Sequence, residues 1–222
     1  SVGLGKTITA GAVINHYLNT NKKIRIEVIV PGSLIDQWPT ELGKHFGINN
    51  LIITSFHNKD AIEKRKELDK HVGEVDLFVI DEAHNLRKES GSRYEQMMLW
   101  IQDNPNAHVL LLTATPINNS LVDFAAQINI ASGGTENLFK VQIPEMESMQ
   151  QAEAKDYYDA IVDLNSSIKK DLKAGKEINK KKIRTIMRPI LEHFMVRSTR
   201  KGVEKEFQGI TDKDNNLIKF PE

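Results

Sequence analysis

The sequence predicts an α/β fold in three layers, in which a mainly parallel β-sheet lies between helices and a helical extension follows toward the C-terminus. Short apolar runs alternate with segments of helical periodicity from the start of the chain to Ala131, which is typical of repeated βα units. The runs are rich in Ile, Val and Leu without polar alternation, as expected of strands buried on both faces. We therefore expect four strands, at Ile26 to Val30, Leu51 to Thr54, Leu77 to Ile80 and Val109 to Leu112.

Helices are expected between and beyond these strands, because apolar residues recur there at helical spacing. Gly133 and Gly134 interrupt the pattern, so we place the end of the sheet domain, residues 1–134, at this pair. Five helical segments precede it, near Ile8 to Leu18, Leu34 to His45, Ala61 to His71, Ser92 to Gln102 and Leu121 to Ala131.

The C-terminal part of the chain has a different character. From about Met149 to Lys173 the sequence is long, polar and helical, and a second helix is predicted from Ile178 to Ile190 after Gly175. We predict that residues 135–205 form a mostly helical extension that completes the domain. Residues 206–222 are predicted to be a linker.

The composition excludes several classes of protein. The absence of cysteine from the 222 residues rules out disulfides, a thiol nucleophile and a cysteine zinc site. No stretch approaches the roughly 18 to 20 apolar residues that a membrane span needs, and no charged-then-apolar leader opens the chain. We expect a protein of the cytoplasm without a membrane partner.

A local excess of positive charge lies near the C-terminus, although the whole chain balances 30 basic against 30 acidic residues. Residues 165–205 contain thirteen Lys or Arg and four Asp or Glu, an excess of about +9. Two interpretations are open. The segment is either a solvated helical face or a surface that meets the phosphates of a nucleic acid.

The first seven residues, SVGLGKT, match most of a phosphate-binding loop of the pattern GxxxxGK[ST]. Gly3 and Gly5 let backbone N–H groups turn toward phosphate oxygens without an obstructing Cβ. Lys6 can reach the terminal phosphates, Thr7 can offer its hydroxyl to Mg²⁺, and the following helix points its positive end at the same anion. A plain glycine turn before an amphipathic helix is the alternative.

Two further motifs follow buried strands. In VIDEAH, Asp81 and Glu82 end an apolar strand, where paired carboxylates are costly unless a cation or a reacting water uses them. Asp81 is expected to hold Mg²⁺, and Glu82 to orient the water that attacks the γ-phosphate, while His84 completes the motif. The alternative is a pair of acidic residues that caps a helix.

In LLLTATP, Thr113, Ala114 and Thr115 follow the last strand of the sheet domain and precede Pro116. The hydroxyls of the two threonines can bond the carboxylates or the histidine of VIDEAH and relay the state of the nucleotide. An ordinary turn at the end of a strand is the alternative.

These motifs in this order resemble the first RecA-like lobe of the Swi/Snf-type branch of superfamily-two helicase ATPases. The resemblance extends over nearly the whole chain and implies a RecA-like P-loop domain, ATP and Mg²⁺ as cofactors, and translocation along double-stranded DNA by two lobes that close on ATP. It is carried by VGLGKT, VIVPGSLIDQW, VIDEAHNLRK, LLLTATPINNS and HFMVRSTRKGV.

The resemblance also assigns roles to matching residues. Residues Pro31, Gly32, Ser33 and Leu34 resemble the segment that contacts the DNA backbone, followed by Gln37 and Trp38. Trp38 is interpreted as a helix-packing residue rather than a base-stacking one. Arg197 matches a family arginine that couples the two lobes, whereas Ser198 stands where a second arginine is common.

The family pattern implies parts that this sequence does not contain. We expect a parent protein to contain the second lobe with its arginine finger, and also the strand before the phosphate loop. We expect this parent protein to be prokaryotic and associated with the nucleoid. In their absence, Phe194 to Val196 is one candidate to cover the exposed sheet edge. We expect this chain alone to bind ATP poorly and to lack turnover.

The function predicted for the parent is therefore that of a DNA-dependent ATPase. The alternatives are a non-catalytic module that binds DNA or a partner, and the motor part of a restriction system.

Overall fold

The structure, a computed structural model, describes residues 6–20, 23–49, 51–55, 75–86, 92–117, 120–134, 140–142 and 154–196. The helices and strands of the sheet domain are α1 (Lys6–Thr20), β1 (Ile26–Ile29), α2 (Gln37–Phe46), β2 (Ile52–Thr54), β3 (Leu77–Ile80), α3 (Ser92–Gln102), β4 (His108–Leu111) and α4 (Leu121–Ala131). The extension contains β5 (Lys140–Gln142), β6 (Ala154–Asp156), α5 (Tyr157–Lys173) and α6 (Lys180–Phe194).

The first four strands form one sheet in the order β2-β1-β3-β4, and every neighbouring pair is parallel. In the register, Val28 of β1 lies between Ile53 of β2 and Val79 of β3. The four residues of β1 and of β3 are buried, so the apolar runs of the sequence mark the centre of the sheet. The four predicted strands are confirmed to within one residue at each end.

Alternate residues of each strand point to opposite faces of the sheet, and each face has its own core. On one face, Val28 and Val79 pack with Ile14 of α1 and Leu42 of α2. On the other, residues of the same strands pack with α3 and α4, among them Ile29, Phe78, Met97, Trp100 and Ile130. The predicted three-layer α/β fold is confirmed.

Helix α4 illustrates how local sequence sets the element bounds. The hydroxyl of Ser120 accepts a hydrogen bond from the backbone N–H of Asp123 at 3.3 Å, which satisfies a free donor of the first turn. After Ala131 the chain passes through Gly133 and Gly134 with φ of +70° and +78°, a conformation in which a Cβ is strained. The glycine pair therefore ends the helix, as predicted.

The extension packs on the sheet domain through α4. One side of this helix belongs to the sheet core, while Phe124 and Ile128 pack with Ile161 of α5 and Ile190 of α6.

The predicted start of the first long helix is wrong: α5 begins at Tyr157, because residues 154–156 pair antiparallel with residues 140–142. Helix α6 begins two residues later than predicted, after Asn179, whose side chain accepts from the N–H of Lys182 at 2.9 Å.

The expectation that Phe194 to Val196 covers a sheet edge is also wrong. The ring of Phe194 packs against Tyr157 with centroids 5.3 Å apart, and Val196 is 97% exposed. Strands β2 and β4 are the two edges of the sheet among the described strands. The helix predicted near residues 61–71 and the linker at 206–222 lie outside the described residues.

Close packing of α1 on α2 yields a stability prediction. A Cβ built on the buried Gly11 would overlap the ring of Phe46, so Gly11→Ala forces this ring or the two helices to move. We expect it to lower the free energy of unfolding by about 1 to 3 kcal/mol, as overpacking does.

The control is Gly43→Ala in α2, where the one close neighbour of the new Cβ would be the Asn49 side-chain oxygen at 2.7 Å, and the Ile48 carbonyl oxygen would lie at an ordinary 3.9 Å. Because Asn49 is exposed and can turn away, this variant should keep or gain stability through helix propensity. Equilibrium urea unfolding measures both. Equal stabilities of the two variants would contradict the close packing of α1 on α2.

Candidate active site

The acidic motif lies at the carboxyl edge of the sheet, directly after the buried strand β3. The backbone N–H of Asp81 donates to the carbonyl of Ile29 in β1 at 2.8 Å, so the sheet pairing continues one residue past the strand. Asp81 is buried, and a short 3₁₀ helix, Ala83–Leu86, follows. In parallel α/β sheets this edge is where ligands bind.

Lys6 lies at the same edge, in the first turn of α1. Its ammonium contacts Oε1 of Glu82 and lies 3.7 Å from Oδ1 of Asp81. Lys6, which lies 75 positions or more before the two carboxylates in the sequence, is therefore brought next to both of them. Thr7 follows in the same turn, and the N-terminus of this 15-residue helix adds partial positive charge.

Both oxygens of the Asp81 carboxylate accept hydrogen bonds. The indole Nε1 of Trp38 donates to Oδ2 at 3.1 Å, and the backbone N–H of Glu82 donates to Oδ1 at 2.8 Å. Trp38 lies in the first turn of α2 and is 1% exposed. Sequence reasoning assigned it to packing and missed this bond, since no periodic pattern reports the distance between α2 and the end of β3.

The backbone of Glu82 is unusual. Its φ of +50° is the one positive value among the described residues other than glycine, and a left-handed conformation costs an ordinary residue about 1 to 2 kcal/mol. Such strain occurs where a functional geometry requires it. Here it turns the chain sharply between strand and 3₁₀ helix, so that Asp81 and Glu82 both meet Lys6.

His84 lies on the other side of the Glu82 carboxylate. Its Nδ1 is 3.0 Å from Oε2 of Glu82, and within the described part of the chain this buried nitrogen has no hydrogen-bond partner. The Glu82 carboxylate therefore lies between Lys6 on one side and His84 on the other.

The TATP segment is joined to the acidic motif through the backbone. The N–H of Ala83 donates to the carbonyl of Leu112 at 2.9 Å, while Oγ1 of Thr113 accepts from the N–H of Thr115 at 3.3 Å. Ala114 and Thr115 are exposed. The contact between the two motifs is thus a main-chain bond rather than the hydroxyl bond considered from the sequence.

Gln127 of α4 holds the far end of this segment and was missed by sequence reasoning. Its buried side-chain amide donates to the carbonyl of Pro116 at 2.8 Å and to that of Asp123 at 3.1 Å. The available signal was a glutamine between Ala126 and Ile128 in a mostly apolar helix, because a buried amide needs hydrogen-bond partners.

The segment Pro31–Leu34 lies at the same edge of the sheet, after β1. Gly32–Leu34 form a 3₁₀ helix in which the N–H of Leu34 donates to the carbonyl of Pro31 at 2.8 Å. Gly32 and Ser33 are exposed and Leu34 is half-buried. This placement leaves Gly32 and Ser33 exposed at the edge of the sheet that carries the acidic motif.

The donor set at this edge fits a magnesium nucleotide. Mg²⁺ in such sites is typically held by one or two carboxylates together with substrate phosphates, rather than by a cage of protein ligands. The described residues contain no cluster of three or more His, Asp or Glu able to hold a metal, and the Asp81 carboxylate is the type of ligand that the former kind of site uses. Gly3, Gly5 and Arg197 lie outside the described residues.

None of the helices in the described ranges is both long and apolar enough to span a lipid bilayer.

Comparisons with known proteins agree with this geometry. The family model "SNF2-related domain" matches residues 1–61 and 49–220. The chain is 28% identical over 166 residues to the uncharacterized ATP-dependent helicase YqhH of Bacillus subtilis (strain 168), covering 68% of this chain and 29% of that protein. It is 34% identical over 139 residues to the RNA polymerase-associated protein RapA of Vibrio atlanticus (strain LGP32), covering 52% and 14%.

Among solved structures, the SWI2/SNF2 ATPase core of Sulfolobus solfataricus in complex with dsDNA matches with a TM-score of 0.58 and 21% sequence identity. The match covers 90% of this chain and 39% of that one, and it establishes the fold as that of a RecA-like ATPase core. The chain spans less than a third of the length of the two curated relatives.

Proposed function

The chain belongs to the SNF2-related domain family, and on that premise we propose that it is the ATP-binding lobe of a DNA-dependent ATPase that translocates along double-stranded DNA. The observation that carries the proposal is the meeting of Lys6 with Asp81 and Glu82 at the carboxyl edge of a parallel sheet. A cation and two carboxylates at this edge are the groups that phosphoryl transfer requires.

Each residue has a distinct part in this proposal. Asp81 and the hydroxyl of Thr7 would hold Mg²⁺, which supplies charge neutralisation to the phosphates when it is bound. Lys6 must leave Glu82 to reach a terminal phosphate. Its departure frees the Glu82 carboxylate to accept a hydrogen bond from the attacking water, with His84 orienting that carboxylate.

The same residues argue against the non-catalytic alternative. A lobe used only as a scaffold has no need to keep a lysine beside two carboxylates, one of which lies in a strained turn. The motor part of a restriction system would also hydrolyse ATP, and it differs from the proposed translocase only in the domains attached to the lobe.

We also propose a cytoplasmic location.

The second lobe, with the arginine finger, is proposed to lie in the parent protein outside this chain. That proposal accords with the share of the curated relatives that the chain spans. Residues Thr113, Ala114, Thr115 and Arg197 would then couple the two lobes.

The test of the proposed function is ATP hydrolysis by the full-length protein, measured as phosphate release with and without duplex DNA. Hydrolysis that requires Mg²⁺ and rises with DNA is the expected result. Failure to hydrolyse ATP under either condition would favour the non-catalytic alternative.

Double-stranded DNA is the proposed partner, with Pro31, Gly32, Ser33 and Leu34 as one contact. Support comes from the exposure of Gly32 and Ser33 beside the acidic motif. It also comes from the solved relative, whose complex contains dsDNA. Hydroxyl and backbone contacts of this kind fix position on the phosphate backbone without reading sequence.

Helix α6 is the second proposed DNA contact, and it yields a prediction. Lys180, Lys181 and Arg184 are exposed, and Lys182 is partly exposed. Arg188 is bound to Glu192 at 2.7 Å, and this hydrogen bond together with the charge of Glu192 raises the pKa of Arg188. The lysines at the start of the helix therefore carry the positive charge that is free for phosphates.

Reversing Lys180, Lys181 and Lys182 to Glu should weaken duplex binding. It should also reduce the slope of log affinity against log salt by up to about 3, because each lost phosphate contact removes roughly one released counterion. DNA titrations of the full-length protein at two salt concentrations measure both quantities. Replacement of the same lysines by Arg is the charge-conserving control, and an unchanged slope in the Glu variant would identify α6 as a solvated face.

A further inference from the structure

We propose that Trp38 is a positioning residue of the active site, which fixes the Asp81 carboxylate in the orientation needed for Mg²⁺–ATP. The proposal rests on the proposed ATPase function and adds a residue to it. Its basis is the 3.1 Å hydrogen bond from Nε1 of Trp38 to Oδ2 of Asp81, inside the protein and away from solvent.

The bond determines the plane of the carboxylate. Oδ1 of Asp81 accepts from the N–H of Glu82 at 2.8 Å and lies 3.7 Å from the ammonium of Lys6. With Oδ2 held by Trp38 as well, the group has a donor at each end and cannot rotate without breaking one bond. The remaining lone pairs of the two oxygens then point in fixed directions.

The chemistry of the indole suits this task. Its N–H is a donor only and cannot compete for the cation that Asp81 is to bind. The donor is uncharged, so it orients the carboxylate while leaving its negative charge intact. A lysine or arginine at this place would orient the group but reduce its attraction for Mg²⁺.

Packing alone does not account for the residue. The ring fills the core between α2 and the sheet with Leu42, Val79 and other apolar side chains, and a leucine or phenylalanine would also fill such a space. What distinguishes tryptophan is a buried N–H that must find a partner. The partner here is the Asp81 carboxylate, which we expect to bind Mg²⁺. Groups that hydrogen-bond to a metal ligand, as the Trp38 N–H does, hold that ligand in place.

The experiment compares Trp38→Phe with Trp100→Phe in the full-length protein. Phenylalanine keeps an aromatic ring at position 38 but removes the N–H. Trp100 is the other of the two tryptophans of the chain; it is buried in the core on the opposite face of the sheet and serves as the matched control. Binding of a fluorescent ADP analogue is titrated with Mg²⁺, and kcat and KM are measured beside it.

We expect Trp38→Phe to need on the order of 10- to 100-fold more Mg²⁺ for half-maximal binding, as loss of a supporting hydrogen bond at a metal site does. Nucleotide binding without Mg²⁺ should be unchanged, and kcat should fall at limiting Mg²⁺ and recover at high Mg²⁺. Trp100→Phe should keep the Mg²⁺ requirement of the natural protein.

A second variant removes the N–H without changing the shape of the ring. Replacement of Trp38 by 3-benzothienylalanine puts sulfur in place of N–H and should raise the Mg²⁺ requirement in the same way. An unaltered Mg²⁺ requirement in this variant, or equal changes in the Trp38 and Trp100 variants, would overturn the proposal. Absence of Mg²⁺-dependent ATPase activity in the natural protein is a different result, because it would remove the proposed function itself.

Discussion

Lys6→Ala in the full-length protein is expected to lose nearly all ATP turnover, by a factor of at least about 100. The Lys6 ammonium contacts Glu82 and lies 3.7 Å from Asp81, and it is the group placed to neutralise the terminal phosphates. Without it, two carboxylates at one sheet edge repel each other and the anionic nucleotide. Phosphoryl transfer depends on positioning and charge neutralisation, so little of the rate can survive.

Steady-state phosphate release at saturating duplex DNA measures this effect. Lys44→Ala is the control, because Lys44 is an exposed lysine in the last turn of α2, at the end of the helix away from Trp38. It should hydrolyse ATP at the rate of the natural protein. If Lys6→Ala keeps more than about a tenth of that rate, Lys6 lowers the activation free energy by less than the 1.4 kcal/mol that a tenfold effect represents. Such a contribution would be too small for the proposed role.

Glu82→Gln should separate binding from hydrolysis. Glutamine has nearly the shape of glutamate and keeps an oxygen that can accept from Lys6, so nucleotide affinity should stay within a few-fold of normal. The amide cannot accept a proton from water as the carboxylate does, so we expect kcat to fall on the order of 100- to 1,000-fold.

Two assays on one preparation test this separation: affinity for a fluorescent ATP analogue and single-turnover phosphate release. Glu41→Gln is the control, since Glu41 pairs with His45 on the surface of α2 at 3.5 Å, and its loss should change neither quantity. Substantial hydrolysis by Glu82→Gln would remove Glu82 from the water-activating role.

The sheet domain was predictable because its elements bury most of their surface. Strand β3 and helices α3 and α4 have the predicted bounds, since apolar periodicity reports burial and glycines or polar residues mark the ends. The hairpin of β5 and β6 was not predictable. Strands of three residues carry no measurable periodicity, and their pairing joins segments that lie twelve or more positions apart.

The candidate site was also predictable only in part. The meeting of Lys6 with Asp81 and Glu82 follows from motifs that each end or begin an element at one sheet edge. The roles of Trp38 and Gln127 depend instead on how α2 and α4 pack against that edge, which no local pattern encodes. Gly3, Gly5 and Arg197 stay predictions.

The bond between Ala83 N–H and the Leu112 carbonyl joins the acidic motif after β3 to the TATP segment after β4. Both partners are peptide groups, so every residue except proline at position 83 supplies the same donor, and every residue at position 112 supplies the same acceptor. An alanine scan therefore leaves this connection intact. A proline or an ester at position 83 removes the N–H itself, and this bond with it.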